Sequence, residues 1–283
     1  MVRLASPAQE VDLLKLLDEE KPEKERVKGA FKSTRVIMAH STEMMAGGVL
    51  DFRILHRFGR VNLGFYEMLG LDQASIRLGL DYALNDRFTI GIGRSNIKKE
   101  SDCFLKTRLL WQTTGTHSFP FALTLVNGMT VDGLKWQNPE QKNYFTSRLG
   151  YYHQLIIARK FNETFTFQLT PTIVHRNLVQ LSTQKNDVGA LGMGGRIKIT
   201  SRIALMLDYF YVPDRGSDDF ISPLSIGFDI ETGGHVFQLH FTNALGMNER
   251  AFIIDTTGQW DKGDIHFGFN ISRVFTLSTR QRR

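Results

Sequence analysis

The sequence predicts an all-β protein, a transmembrane antiparallel β-barrel of about twelve strands with a short N-terminal helix. Three observations carry this reading: apolar and polar residues alternate with a period of two from residue 30 onward; short and long connections alternate between the periodic segments; and no apolar run is long enough for a membrane-spanning helix. A spanning strand needs only about 9–11 residues and shows every second side chain to lipid. Mean hydropathy is therefore blind to it.

Composition agrees. With 42% hydrophobic and 23% charged residues, the 283-residue chain is neither disordered nor a helical membrane protein. Its 21 Phe, 7 Tyr and 3 Trp suit strands, and its 25 Gly suit turns and crowded strand positions. Cys103 is the sole cysteine, which excludes an intramolecular disulfide and a cysteine-based metal cluster. The net charge of +6 is spread among acidic residues rather than gathered into a stripe, so no nucleic-acid partner is expected, and no motif calls for a cofactor.

Residues 1–29 read as the remnant of a signal region, a short helix and a charged linker. Met1 to Gln9 lacks an apolar core, and Ser6-Pro7-Ala8 fits what remains at a small-residue cleavage site. Leucines between Val11 and Leu17 are spaced for a helix, and the charge run 19–26 follows. This helix is the expected contact for a periplasmic protein partner. Strands are expected near 48–58, 75–83, 87–95, 102–112, 119–129, 144–160, 163–176, 187–199, 203–212, 223–232, 235–243 and 263–275, within a barrel domain spanning 30–277. A basic tail, 278–283, completes the chain.

Turns at Asn85-Asp86, Asn162-Glu163, Thr200-Ser201 and Gly233-Gly234 are tight, whereas 98–101, 131–143, 180–186, 213–222 and 244–263 are longer and polar. Short periplasmic turns and longer outer loops distinguish an outer-membrane barrel from a soluble sandwich. The 113–120 connection breaks the rule by being long on the short side. A thirteenth strand at 31–38 would separate the chain ends, so this segment is expected inside or below the barrel.

The polar phase defines the candidate lumen: Arg53, Arg57, Arg77, Lys106, Arg108, Arg148, Arg196 and Lys198 face Asp51, Asp81, Asp208, Asp229 and Glu231, joined by His240 and His266. Two readings stay open. The cations favour anions in an open pore, or ion pairs such as Arg77, Arg108 and Arg148 with Asp81, Asp229 and Glu231 lock the wall around a filled interior. His240 and His266 share the inward phase, with Asn270 and Ser272 below, as candidates for a rim hydrolase, but no motif fixes a nucleophile, and hydrogen-bonded lumen histidines are the plainer reading. Asp255, Asp261 and Asp264 lack the spacing of a calcium loop. Gly192-Met-Gly-Gly195 and Gly91-Ile-Gly93 lead into no helix, so they read as crowded strand glycines rather than phosphate cradles.

The segment Gly227-Phe-Asp-Ile-Glu-Thr-Gly-Gly-His-Val-Phe-Gln-Leu-His-Phe-Thr242, with Gly246-Met-Asn-Glu-Arg-Ala-Phe252 and Gly263-Asp-Ile-His-Phe-Gly-Phe-Asn-Ile-Ser-Arg-Val-Phe275, resembles a Bacteroidota family of outer-membrane β-barrels, a domain of unknown function (DUF5777). His56-Arg-Phe-Gly-Arg60, Leu71-Asp-Gln73 with Arg77-Leu-Gly79, and Pro171-Thr-Ile-Val-His-Arg-Asn177 extend the likeness, which covers roughly residues 31–275. The resemblance implies an outer-membrane location, with outer-membrane lipid as the surroundings. It implies no reaction and therefore no catalytic residue. One departure is that outer-membrane barrels commonly end on an aromatic residue, whereas here Phe275 is followed by eight more residues ending in Arg283. The function classes, in order, are a small-solute pore or channel, a structural or partner-binding barrel, and a barrel-rim hydrolase.

Overall fold

The computed structural model describes residues 24–179, 182, 184–213, 220–232 and 235–278. Its barrel strands are β1 (Val49–Arg60), β2 (Ala74–Ala83), β3 (Phe88–Ser95), β4 (Ser101–Leu110), β5 (Ala122–Val131) and β6 (Leu149–Lys160). They continue as β7 (Phe165–Arg176), β8 (Asp187–Lys198), β9 (Ile203–Tyr211), β10 (Leu224–Thr232), β11 (His235–Thr242) and β12 (His266–Thr276). Each pairs antiparallel with its neighbour in sequence, and β12 closes on β1 with Ile271 opposite Ile54 and Phe275 opposite Leu50. This is the twelve-strand barrel the alternation predicts, and closure leaves no edge of unpaired backbone for lipid to meet.

Period two sorts the side chains. Along β3, Phe88, Ile90 and Ile92 point outward while Thr89 and Gly91 are buried; along β1, Asp51, Arg53, Leu55 and Arg57 are buried inward. Ile92 is 60% and Ile173 58% exposed, a burden water would penalise and lipid accepts. Aromatic rings cluster at both ends of this apolar belt: Phe161 on Phe165 and Phe119 on Phe121 at the short-turn end, Phe58, Phe241 and Phe267 at the other. Trp111 lies between Arg26 and Arg87, at 4.0 and 4.1 Å from its ring.

The chain enters and leaves at the short-turn end: Gly48 donates to Ala83 and accepts from Leu277. Even strand number has this consequence, although the 11–17 helix, the Gly233-Gly234 turn and Arg280 to Arg283 lie outside the described residues. The unexpectedly long 111–121 connection has a job there. Thr113 and Thr114 form a two-residue ladder with Arg26 and Glu25, and Val27 donates to Gln112, which docks the incoming chain against the rim.

From the rim, residues 30–46 run into the barrel and back out as a narrow hairpin. Val36 donates to Ala39 at its tip, Ser41 donates to Thr34, and Arg35 bridges His40. The 31–38 segment is thus inside the barrel, one of the two places, inside or below, that the strand count allowed. The connection 243–265 departs from its expected form as a polar outer loop. It turns inward and forms α1 (Glu249–Ile254), whose Asn248 cap accepts from Ala251 at 2.9 Å and whose Phe252, Ile253 and Ile254 are buried. Phe252 meets Phe210 edge-on, with ring centroids 5.2 Å apart.

Candidate functional site: a lumen closed from both ends

The lumen wall holds the hairpin by polar contacts and through a buried apolar cluster that joins Phe31, Val36 and Ile37 to Phe104 and Ile156. Asp208, midway along β9, accepts from the backbone N–H groups of Met38 and Ala39 at 2.8 Å each and of Ile37 at 3.4 Å. A tight turn aims successive N–H dipoles at one point, and a carboxylate fills that point without a cation. Gln238 donates to the carbonyl of Val36 at 2.6 Å, Asn270 to that of Ile37 at 2.8 Å, and Gln168 to that of His40 at 2.9 Å. Arg53 reaches Thr34 Oγ1, Lys106 reaches the Glu43 carbonyl, and Arg108 donates to the Thr42 carbonyl. Arg57 donates to Asn270 Oδ1 and to Met38 Sδ.

Hairpin and α1 meet in the middle. Arg35 Nη1 lies 2.6 Å from Glu249 Oε1, and His40 Nε2 lies 3.3 Å from the same oxygen, with Arg35 and His40 1% and Glu249 0% exposed. Above this junction, Arg250 binds Glu100 at 2.7 Å, and Asn248 donates to the second Glu100 oxygen at 2.8 Å. The wall itself is cross-linked by Arg77 to Asp102, at 2.8 and 2.5 Å, and by Arg53 to Asp51 at 2.5 Å and to Asp81 at 3.8 Å. Gly79 and Gly93 leave room for the Arg77 guanidinium, and Gly91 and Gly192 for Phe104 and Phe210. A Cβ at Gly93 would strike that guanidinium.

Arg53, Arg57, Arg77, Lys106, Arg108, Arg196, Asp51, Asp81, Asp208 and Asp229 lie buried on the inward phase, and His240 and His266 with them. Lys198 is half-buried. The expected partners are different ones. Arg77 takes Asp102, Arg108 takes the hairpin backbone, Asp229 accepts from Gln238, and Glu231 sits at the short-turn rim, 2.9 Å from Lys32. Arg148 requires a correction: it stands in the 145–148 turn outside the lumen, donating to the carbonyls of Asp132 and Leu134 and stacking 3.8 Å over Trp136. Strand β6 begins only at Leu149, five residues later than the alternation suggested, because the aromatic pair Tyr144-Phe145 extends the apparent strand period into a loop.

Among the described residues, His240, His266, Asn270 and Ser272 do not assemble into a hydrolase constellation. Ser272 donates to Asp51 at 2.6 Å, Asn270 is engaged by Arg57 and the hairpin, and His266 Nδ1 faces the Phe58 carbonyl. His240 pairs in register with Gly268, four residues along β12 from Ser272, a separation of roughly 13 Å. The acidic loop is likewise occupied: Asp255 pairs with Lys98 at 2.7 Å and Arg250 at 3.0 Å, and Asp264 with Arg60 at 3.0 Å. Burial pushes the Asp255 carboxyl up, but the charges of Arg250 and Lys98 outweigh it and hold the group below the ordinary range.

A depressed carboxyl stabilises the fold above its unfolded pKa of about 3.9, and that contribution disappears as pH falls through the lower folded value. The stability difference between wild type and Asp255→Asn should therefore be constant above about pH 5 and shrink in more acidic buffer. Urea unfolding in detergent micelles at stepped pH measures it, and a difference that grows on acidification contradicts the pairing.

The geometry defines a class: a membrane-spanning β-barrel of the outer-membrane type whose interior is closed by its own chain. The chain belongs to the membrane-bound beta barrel domain family (DUF5777), whose model matches residues 31–275. Similar solved structures include the NanC porin, at 8% identity and a TM-score of 0.48, covering 81% of this chain and 100% of that one. Another is the COG4313 outer membrane channel from Pseudomonas putida F1, at 13% identity and a TM-score of 0.45, covering 82% and 97% respectively. Among curated proteins, none matches the sequence.

Proposed function

We propose that the protein is a small-solute channel of a Bacteroidota outer membrane, closed at rest by the 30–46 hairpin and by the α1 loop. One observation carries this reading: the polar groups of the wall that bond the hairpin are the hydrophilic groups an aqueous passage needs. Asp208, Gln168, Gln238, Asn270, Arg53, Lys106 and Arg108 all bond hairpin atoms and can bond water instead. A permanently filled barrel gains nothing from such a lining, since well-packed apolar residues in place of buried charges are commonly neutral or stabilising. The hairpin continues directly into the chain that leaves at the short-turn rim. A periplasmic partner gripping residues 11–17 would therefore pull on the plug itself.

Planar-bilayer recording tests this with wild type, a variant lacking residues 24–46, and that deletion combined with Arg250→Gln, which also removes the ion pair between α1 and Glu100. Wild type should stay closed, the deletion should conduct in bursts, and the combined variant should conduct steadily with a modest anion preference. If both variants run as folded, heat-modifiable barrels and neither conducts, the structural or partner-binding reading replaces the channel.

A further inference from the structure

On the outer wall at the long-loop end, a cleft of about 790 Å³ opens between the last residues of β3 and β5, the first residue of β4 and the 132–148 loop. Its lining includes four cations, Arg94, Lys99, Lys135 and Arg148, against the single acid Asp132, together with the apolar Leu134, Trp136 and Phe145. Among the described residues, none of the four cations has a carboxylate within ion-pairing distance. Arg94 donates to Ser101 Oγ at 3.0 Å, and Arg148 spends its bonds on loop carbonyls while lying flat on Trp136. The loop is built rather than loose, since Gly133 donates to Lys98 and Asp132 to Arg148, both at 3.0 Å. Gly133 could not carry a side chain there, because a Cβ would collide with the Lys99 backbone.

The membrane fixes what such a cleft faces. Arg94, Ser101 and Val131 are outward residues at the strand ends, and two positions deeper on the same strands come Ile92, Cys103 and Met129, aligned across the sheet. This apolar lane begins roughly 7 Å below the cations. A cationic cleft directly above a lipid-facing lane matches a molecule with an anionic head and acyl tails.

We propose that this cleft binds the phosphomonoester headgroup of an acylated lipid in the leaflet around the long-loop rim. The phosphate sits between Arg94, Lys99 and Lys135, Trp136 and Phe145 cover its backbone, and an acyl chain runs down over Ile92, Cys103 and Met129. Charge-assisted hydrogen bonds supply the selectivity, and the lane separates a lipid from a free anion.

Native mass spectrometry of the full chain in detergent micelles tests the assignment, with dioctanoyl phosphatidic acid, dioctanoylglycerol and inorganic phosphate as probes. The phosphatidic acid should bind at least about tenfold more tightly than the diacylglycerol, which differs only by the phosphate. Arg94→Gln with Lys135→Gln should erase that difference. Arg159→Gln, which removes an outward cation at the opposite end, should preserve it, and heat-modifiable migration checks that each variant is folded. Lys99→Gln serves as the second probe if the double variant misfolds. The proposal is overturned by equal binding of the two lipids, by inorganic phosphate competing as strongly as the phospholipid, or by Arg159→Gln weakening binding as much as the cleft variants.

Discussion

Asp102→Asn should destabilise the folded barrel by about 3–5 kcal/mol, the usual cost of stranding one member of a buried ion pair. Arg77 and Asp102 are each 1% exposed and joined by two bonds, at 2.8 and 2.5 Å. The guanidinium lies against Gly79 and Gly93, so it cannot swing to water when its partner is neutralised. The asparagine fills the same volume, which leaves charge as the difference. Asp264→Asn is the comparison, because its pair with Arg60 is 40% exposed on the arginine side and should contribute less than about 1 kcal/mol. Equilibrium urea unfolding followed by tryptophan fluorescence gives both values. If the two variants lose equal stability, the Arg77–Asp102 pair does not lock the wall.

That pair also shows how far the strand pattern reaches. Parity alone puts Asp102 inward with Lys106 and Arg108, and Gln168 and Gln238 inward on their strands, although the lumen set drawn from the sequence leaves Asp102, Gln168 and Gln238 out and wrongly includes Arg148. Which inward cation meets which acid is not legible from parity. Register decides it: β3 lies between β2 and β4, and Arg77 must cross the glycine at 93 to reach Asp102. Asp81, the acid nearer in sequence, faces Arg53 instead. A run of inward glycines beside an inward arginine is the trace such a crossing leaves.

The two elements that close the lumen were harder to place. Strand-count parity denies residues 30–46 a span but leaves them either inside or below the barrel; the bonds from Asp208, Gln238 and Asn270 put them inside. The 243–265 connection looks like an outer loop because of its length and its acids, yet Asn248-Glu-Arg-Ala-Phe-Ile-Ile254 contains a capping residue followed by an apolar run that an exposed loop does not need. Arg35 and Glu249 lie outside every periodic segment. Their pairing across 214 residues is a property of the packed lumen alone.

Breaking that pairing should loosen the closure and leave the wall standing. Glu249→Gln strands the Arg35 guanidinium, whose remaining Nη1 bond goes to the Met38 carbonyl at 2.9 Å, and it removes the negative charge that His40 also faces. The closed arrangement should lose about 3–5 kcal/mol, whereas Arg35→Met with Glu249→Met should recover most of this by filling the same space without a charge. With Arg35→Met and Glu249→Met as the single variants of the same cycle, non-additivity of this size measures the coupling. The loss has an expected location. Residues 30–46 and 243–258 should exchange amide hydrogens faster in Glu249→Gln while β1 to β12 keep their protection, because hairpin and loop can open without breaking a barrel ladder. Asp102→Asn should do the reverse and weaken β2 to β4. If Glu249→Gln speeds exchange in the strands as much as in the hairpin, plug and wall are a single cooperative unit, and no opening of the lumen short of unfolding is open to the protein.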